Sequence, residues 1–178
     1  MKIEVSKLDA ARRQLETAIR LFFYDVDFVS THTLAAAAFN VLNDLSRKPG
    51  HARKSTQDQL LDHIKDEKSK KWFLNEVRKT ENFLKHADRD ADRIHTFNPA
   101  DTSLLLIDAV GCYWNLTAEH TVLMQAYYVW FIATYPRIFI IPEEYREMLT
   151  LGSTMMAGVP KSTFLEAAIR LLTRRGMT

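Results

Sequence analysis

Residues 71–92, KWFLNEVRKTENFLKHADRDAD, hold the one dense grouping of side chains suited to acid–base and anion chemistry. Read as a single helix at about 100° per residue, the stretch places Lys71, Asn75, Arg78, Asn82, Lys85, His86 and Arg89 on one side. The seam contains cations, amides and an imidazole, and no carboxylate. Metal-free cleavage of RNA needs a base for the 2′-hydroxyl proton, an acid for the departing oxygen and fixed positive charge around the phosphate. His86 would serve as general acid or base, with Asn82, one turn earlier, orienting a ribose or phosphate oxygen. Arg78 and Arg89 would stabilise the phosphate charge, and Lys85 would bind substrate by steering the backbone in. The simpler account is a hydrated outer face, which surface helices commonly carry.

Metal chemistry is poorly served by the same region. Asp88, Asp90 and Asp92 open a D-x-D-x-D run, but a calcium loop needs glycine at its sixth place and a bidentate carboxylate at its twelfth, where Arg93 and Pro99 stand. Solvated helix-end charges explain the run better, with a weak site of His86 and these aspartates as the alternative. One cysteine, no histidine pair at i, i+4 and no H-E-x-x-H argue against zinc, and Gly-rich phosphate loops are absent. No cofactor or metal is therefore expected. His32, in Ser-Thr-His-Thr, reads as a helix-start hydrogen-bonding residue unless the fold brings it to His86.

Positioning such a seam requires a folded scaffold. On the far side of the presumed helix, Phe73, Val77, Thr80, Leu84 and Ala87 recur at spacings of four, three, four and three, an apolar stripe that wants a core. A chain of 178 residues is long enough for one domain with such a core. Apolar residues at 47% and charged residues at 26% exclude the disordered and fibrous classes. The net charge of +2 excludes wholesale attraction to nucleic acid or membrane, so any electrostatic recognition must be local. One local excess, Arg47, Lys48, Arg53 and Lys54 around Pro49-Gly50 and His51, reads as a solvated loop.

The prolines at 49, 99, 136, 142 and 160 fall between apolar-periodic runs, which predicts helices separated by punctuation. The expected order is a helix over 7–24 capped by Ser6, a second from Ser30 or Thr31 to about 45 with a close crossing at Ala35 to Ala38, and a third over 55–64. A break at 65–70 precedes the central helix. After Pro99 follows a buried helix over 104–116 with a polar seam of Asp108, Gly111 and Asn115, where Asp108 and Asn115 would satisfy each other. A helix capped by Thr117 runs to 134 and carries Tyr127, Tyr128, Trp130 and Phe131, a core or subunit interface. A short helix at 143–149 and an amphipathic one at 161–174 close the chain.

Cys112, the single cysteine, fits a reducing compartment and reads as a buried, inert thiol. Residues 126–141 are broken by Pro136-Arg137, and the first residues are charged, so neither a membrane span nor a signal peptide is expected. A cytoplasmic location follows from these readings.

Asn82-Phe-Leu-Lys-His-Ala-Asp-Arg-Asp90, with Ala10-Ala-Arg-Arg-Gln-Leu-Glu-Thr-Ala-Ile19 and Thr31-His-Thr-Leu-Ala-Ala-Ala-Ala38, resembles a set of uncharacterised bacterial proteins. More distantly, the Asn-x-x-x-His element resembles the HEPN superfamily, whose signature is Arg, then Asn, Asp or His, then His after four to six residues. Arg89-Asp90 to His95 satisfies that pattern, by which the resemblance implies a substrate-binding role for His95, whereas Arg78 to His86 has seven intervening residues. The resemblance implies a helical homodimer acting as a metal-independent ribonuclease or RNA-binding protein of a toxin or defence type. RNA or a nucleotide would be its ligand and an antitoxin-like protein its partner.

The expectation is thus one all-α domain over 1–178, a mainly antiparallel bundle of six to seven helices with its core at about 7–135 and C-terminal helices at about 143–174. Against the nuclease reading stands a non-enzymatic interaction module that dimerises through the aromatic helix at 127–135. A third reading places a small molecule near Asp108 and Asn115.

Overall fold

The computed structural model describes residues 2–48, 54–88, 91–136, 143, 150, 153–154 and 156–174. Eight helices and no strand occur among them: α1 (Lys7–Phe23), α2 (Phe28–Ser46), α3 (Thr56–Asp62), α4 (Glu67–Val77), α5 (Lys79–Lys85), α6 (Ala100–Thr117), α7 (Val122–Thr134) and α8 (Lys161–Arg174). The class is all-α. Of the segments read from sequence, Pro49, Gly50, His51, Arg53, Arg89, Asp90 and nearly all of 143–149 lie outside the described residues.

The core belongs to α1, α2, α6 and α7. Leu15, Ile19 and Phe23 of α1, Leu42 of α2, Leu106 and Val110 of α6, and Tyr127 and Phe131 of α7 are all buried, and Leu165 closes the cluster from α8. Four alanines let α2 lie close to its neighbours: Ala35, Ala36 and Ala38 are buried, and α2 packs on both α1 and α6. Trp130 sits inside this core, with its ring 4.9 Å from Phe22 and 5.8 Å from Tyr127. Tyr127 donates its hydroxyl to the Ser103 carbonyl at 2.8 Å, satisfying the one polar atom that its burial would strand.

Local chemistry sets the helix starts. Ser6 accepts from the Asp9 amide, as its position predicts. α2 starts earlier than expected because Asp27, not Ser30 or Thr31, accepts from the Val29 and Ser30 amides. Asp25, at φ 49°, turns the chain sharply enough to put that carboxylate in place. α7 starts later than expected: Ala118 ends α6 in a left-handed conformation, Thr117 serves that turn, and Thr121 caps α7 through the Met124 amide.

The single central helix over 71–92 is not formed. Asp66 caps α4, whose last turn gives way at Arg78 to the short α5, and the chain becomes extended at His86 (φ −131°, ψ 134°). The acidic run explains the stop: Asp is a weak helix former, and carboxylates at a helix C-terminus oppose the dipole, whereas Lys85 suits the last turn. No residue of α4 or α5 is buried. The expected apolar stripe does not reach the core, since Phe73, Thr80 and Leu84 are half-buried and Val77 and Ala87 exposed. α5 leans on α2, where Asn40 donates to Glu81, and α4 packs principally on α5.

Candidate functional site

Although the central helix breaks, part of its polar seam still lines a cleft. It is lined by Asn75 of α4, by Lys79, Asn82 and Phe83 of α5, and by His86, Asp88, Arg93 and His95 of the segment that follows. The cleft is open to solvent and has a volume of about 520 Å³. The chain folds back here because it leaves the helix at His86, which carries residues 91–97 past the same helix they follow.

His95 is the best-anchored group in the cleft. Its Nε2 lies 3.0 Å from the Thr80 hydroxyl, its ring packs 5.0 Å from Phe83, and Phe97 stacks on it nearly parallel at 6.5 Å. One ring nitrogen is thereby engaged with α5, while the imidazole remains half-buried beside the cleft. His86, by contrast, is an exposed side chain at the end of α5, tied through its backbone amide to the Asn82 carbonyl at 3.1 Å. Asn82 sits one turn before it, exposed, with its amide facing the same space.

Of the residues singled out from sequence, the fold brings Asn82, His86 and His95 together. Arg78 does not line the cleft; it is half-buried at the junction of α4 and α5. Lys85 also lies away from it, paired with Glu81, so the seam does meet a carboxylate after all. Arg89 is outside the described residues. Lys79 and Arg93 line the cleft instead, with Phe83 as an apolar wall, and sequence reading gave none of the three a role. Lys79 falls one turn from both Asn75 and Asn82, a spacing that could have flagged it. Nothing in the local pattern announces Arg93, because it arrives by the chain reversal.

His32 stands behind the cleft rather than in it. It is 5% exposed, with Nδ1 3.0 Å from the Thr102 hydroxyl and its ring 5.6 Å from Phe97. Burial pushes its pKa below the ordinary 6.5, the nearby carboxylates of Glu81 and Asp101 offsetting part of that. Phe97 thus connects an interior histidine to one on the cleft.

A second depression, of about 460 Å³, lies by the basic loop. Arg47 donates to Asp58 at 2.9 Å, Lys54 pairs with Asp62 at 2.7 Å and Lys70 with Glu67 at 2.9 Å. Each of these cations has a carboxylate partner, within one helical turn for Lys70 and eight to eleven residues away for Lys54 and Arg47, which supports a structural role for Arg47 and Lys54.

The polar seam of α6 also has a structural occupant. Asp108 accepts from the Thr56 and Gln57 amides at 2.8 and 3.1 Å, so it caps α3 from another helix instead of pairing with Asn115. Burial pushes the Asp108 carboxyl above the usual range against the pull of those two amides. Cys112 is buried, and desolvation pushes its thiol up to about 12, which makes it a poor nucleophile.

Among the described residues no group of three His, Cys, Asp or Glu side chains is placed to hold a metal ion, and no helix is long and apolar enough to cross a membrane. No model of a known family, no curated protein and no solved structure matches the chain.

Proposed function

We propose that the cleft between α5 and the residues His86, Asp88, Arg93 and His95 binds RNA and cleaves it without a metal, in the manner of HEPN-like ribonucleases. The observation that carries this reading is the convergence of two imidazoles, His86 and His95, with Asn82, Lys79 and Arg93 on one space of about 520 Å³. Two histidines supply the base and the acid that transesterification needs. His86, unconstrained at its ring, takes the 2′-hydroxyl proton; the 2′-oxygen bonds to phosphorus, the bond to the 5′-oxygen breaks, and His95 returns a proton to that oxygen. A 2′,3′-cyclic phosphate and a free 5′-hydroxyl result. Arg93, and Lys79 once it leaves its 3.3 Å ion pair with Glu76, hold the charge that builds on the phosphate, in the place given from sequence to Arg78 and Arg89. Asn82 orients the ribose or phosphate. A homodimer and an antitoxin-like partner belong to the same proposal through the family resemblance.

Incubation with single-stranded RNA in chelator tests it. The wild-type chain should release cyclic-phosphate ends, and His86→Ala should lower the rate by about 10²-fold or more. Equal cutting by both, or none by either, removes the reading.

A second reading, a non-enzymatic interaction module, draws on a different surface. Trp114 and Tyr128, 41% and 43% exposed, flank His120 with ring separations of 4.8 and 5.9 Å. Exposed aromatics of this kind suit a protein partner. Sedimentation of Tyr128→Ala checks it: a fall in mass supports association through this face, and unchanged mass removes it.

A further inference from the structure

The cleft is one end of a longer stripe. Asn75, Lys79, Asn82 and His86 all line it, at spacings of four, three and four. Followed backward along α4, the same four-three rhythm continues to Trp72 and then Lys68, which places them on the face that leads out of the cleft. At 1.5 Å per residue, Lys68 stands about 10 Å from Asn75 along the axis, with Trp72 between them.

Trp72 is 65% exposed, on a helix that buries none of its own residues and packs principally against α5. An indole left in water forgoes the stabilisation its burial would bring, and no part of the described fold covers it. The lysines around it differ in a telling way. Lys70 pairs with Glu67 and Lys79 with Glu76, whereas Lys68 and Lys71 make no ion pair among the described residues. An uncovered aromatic face between unneutralised ammonium groups, in register with a cleft whose lining of cations, amides and imidazoles outnumbers its single carboxylate, Asp88, is what a single-stranded polyanion with planar bases needs. A protein partner would have to bring carboxylates of its own to these lysines, whereas a nucleic-acid strand brings phosphates and planar bases together.

We infer that Trp72, with Lys68 and Lys71 beside it, forms a second subsite that stacks a base of single-stranded RNA about one helical turn outside the cleft. The inference rests on the reading of the cleft as an RNA site, and it makes the preferred substrate a strand rather than a mononucleotide. Stacking on Trp72 tolerates any base, so the subsite adds affinity and length preference without sequence choice.

Fluorescein-labelled 2′-O-methyl oligouridylates of three and ten nucleotides, titrated by anisotropy, separate the possibilities because neither can be cut through its 2′-position. Trp72→Ala should weaken the ten-nucleotide strand by about tenfold and leave the three-nucleotide strand unchanged, while Trp72→Phe retains most of the binding. Lys68→Glu, which leaves the indole in place, should weaken the longer strand alone and flatten its salt dependence. If both strands bind the wild type and neither Trp72→Ala nor Lys68→Glu changes the longer one, the subsite is refuted and the cleft reading stands. If the wild type binds neither strand, both fall. A lower sedimentation mass for Trp72→Ala with unchanged RNA affinity would mean that the indole covers a second copy of the chain, which also overturns the inference.

Discussion

The hydroxyl of Thr80 lies 3.0 Å from Nε2 of His95, so a residue in the first turn of α5 fixes an imidazole fifteen positions later in the chain. This bond does more than hold a loop. It occupies one ring nitrogen, so that in the proposed cleavage Nδ1 is the atom left to exchange a proton, and it orients the ring against Phe83 and Phe97.

Thr80→Val keeps the shape and removes the hydroxyl. The fold should lose on the order of 1 kcal/mol. Cleavage should lose kcat with little change in KM, and the pH profile should move because the His95 tautomer is no longer set; Thr80→Ser should restore both. An unaltered pH profile in the valine variant would make Thr80 merely a packing residue.

Asp108→Ala should uncap α3 and cost about 1–2 kcal/mol in denaturant unfolding. Hydrogen exchange should accelerate at the Thr56 and Gln57 amides well before the core opens. Asp108→Asn, which still offers one acceptor oxygen, should lose less. Exchange unchanged at those amides would contradict the cap.

The buried His32 gives stability a pH dependence of definite sign. Its folded pKa is depressed by burial, so the unfolded chain takes up a proton first as the pH falls below the ordinary 6.5. The contribution is therefore complete above that value and is lost downward from it toward the folded pKa. His120, also depressed by desolvation, acts in the same direction. Thermal melts at pH 7.5 and 5.5 should show a smaller acid-induced drop in His32→Asn than in the wild type, and an equal drop would refute the assignment.

Trp130→Ala should destabilise the fold by about 3–5 kcal/mol without changing the sedimentation mass of the folded fraction. The indole is 8% exposed and packed between Phe22, Phe23 and Tyr127, so it is a core residue and not a contact for another subunit. Loss of mass with retained stability would return the aromatic helix to an interface role.

Sequence periodicity located most of the helices because their apolar faces do meet a core: α1, α6 and α8 lie where the spacing of Leu15, Leu106 and Leu165 puts them. The same argument misjudged the central stretch. Phe73, Thr80 and Leu84 have helical spacing, but they pack at the periphery, and periodicity reports a face without saying what covers it. In the site, Asn82 and His86 were legible because a helical turn joins them. His95 was legible by motif through Arg89, which lies outside the described residues, yet its contacts are to Thr80 and Phe83. Lys79 and Arg93 needed the chain reversal at His86, which depends on where α5 ends and not on any local pattern.

Imidazole resonances offer the most direct test of the claim that His86 and His95 face one anionic ligand. In spectra recorded while an uncleavable 2′-O-methyl oligonucleotide is added, the signals of His86 and His95 should shift together with one apparent affinity, and those of buried His32 and of His120 should stay. Shifts at neither cleft histidine, or equal shifts at all of them, would contradict the account.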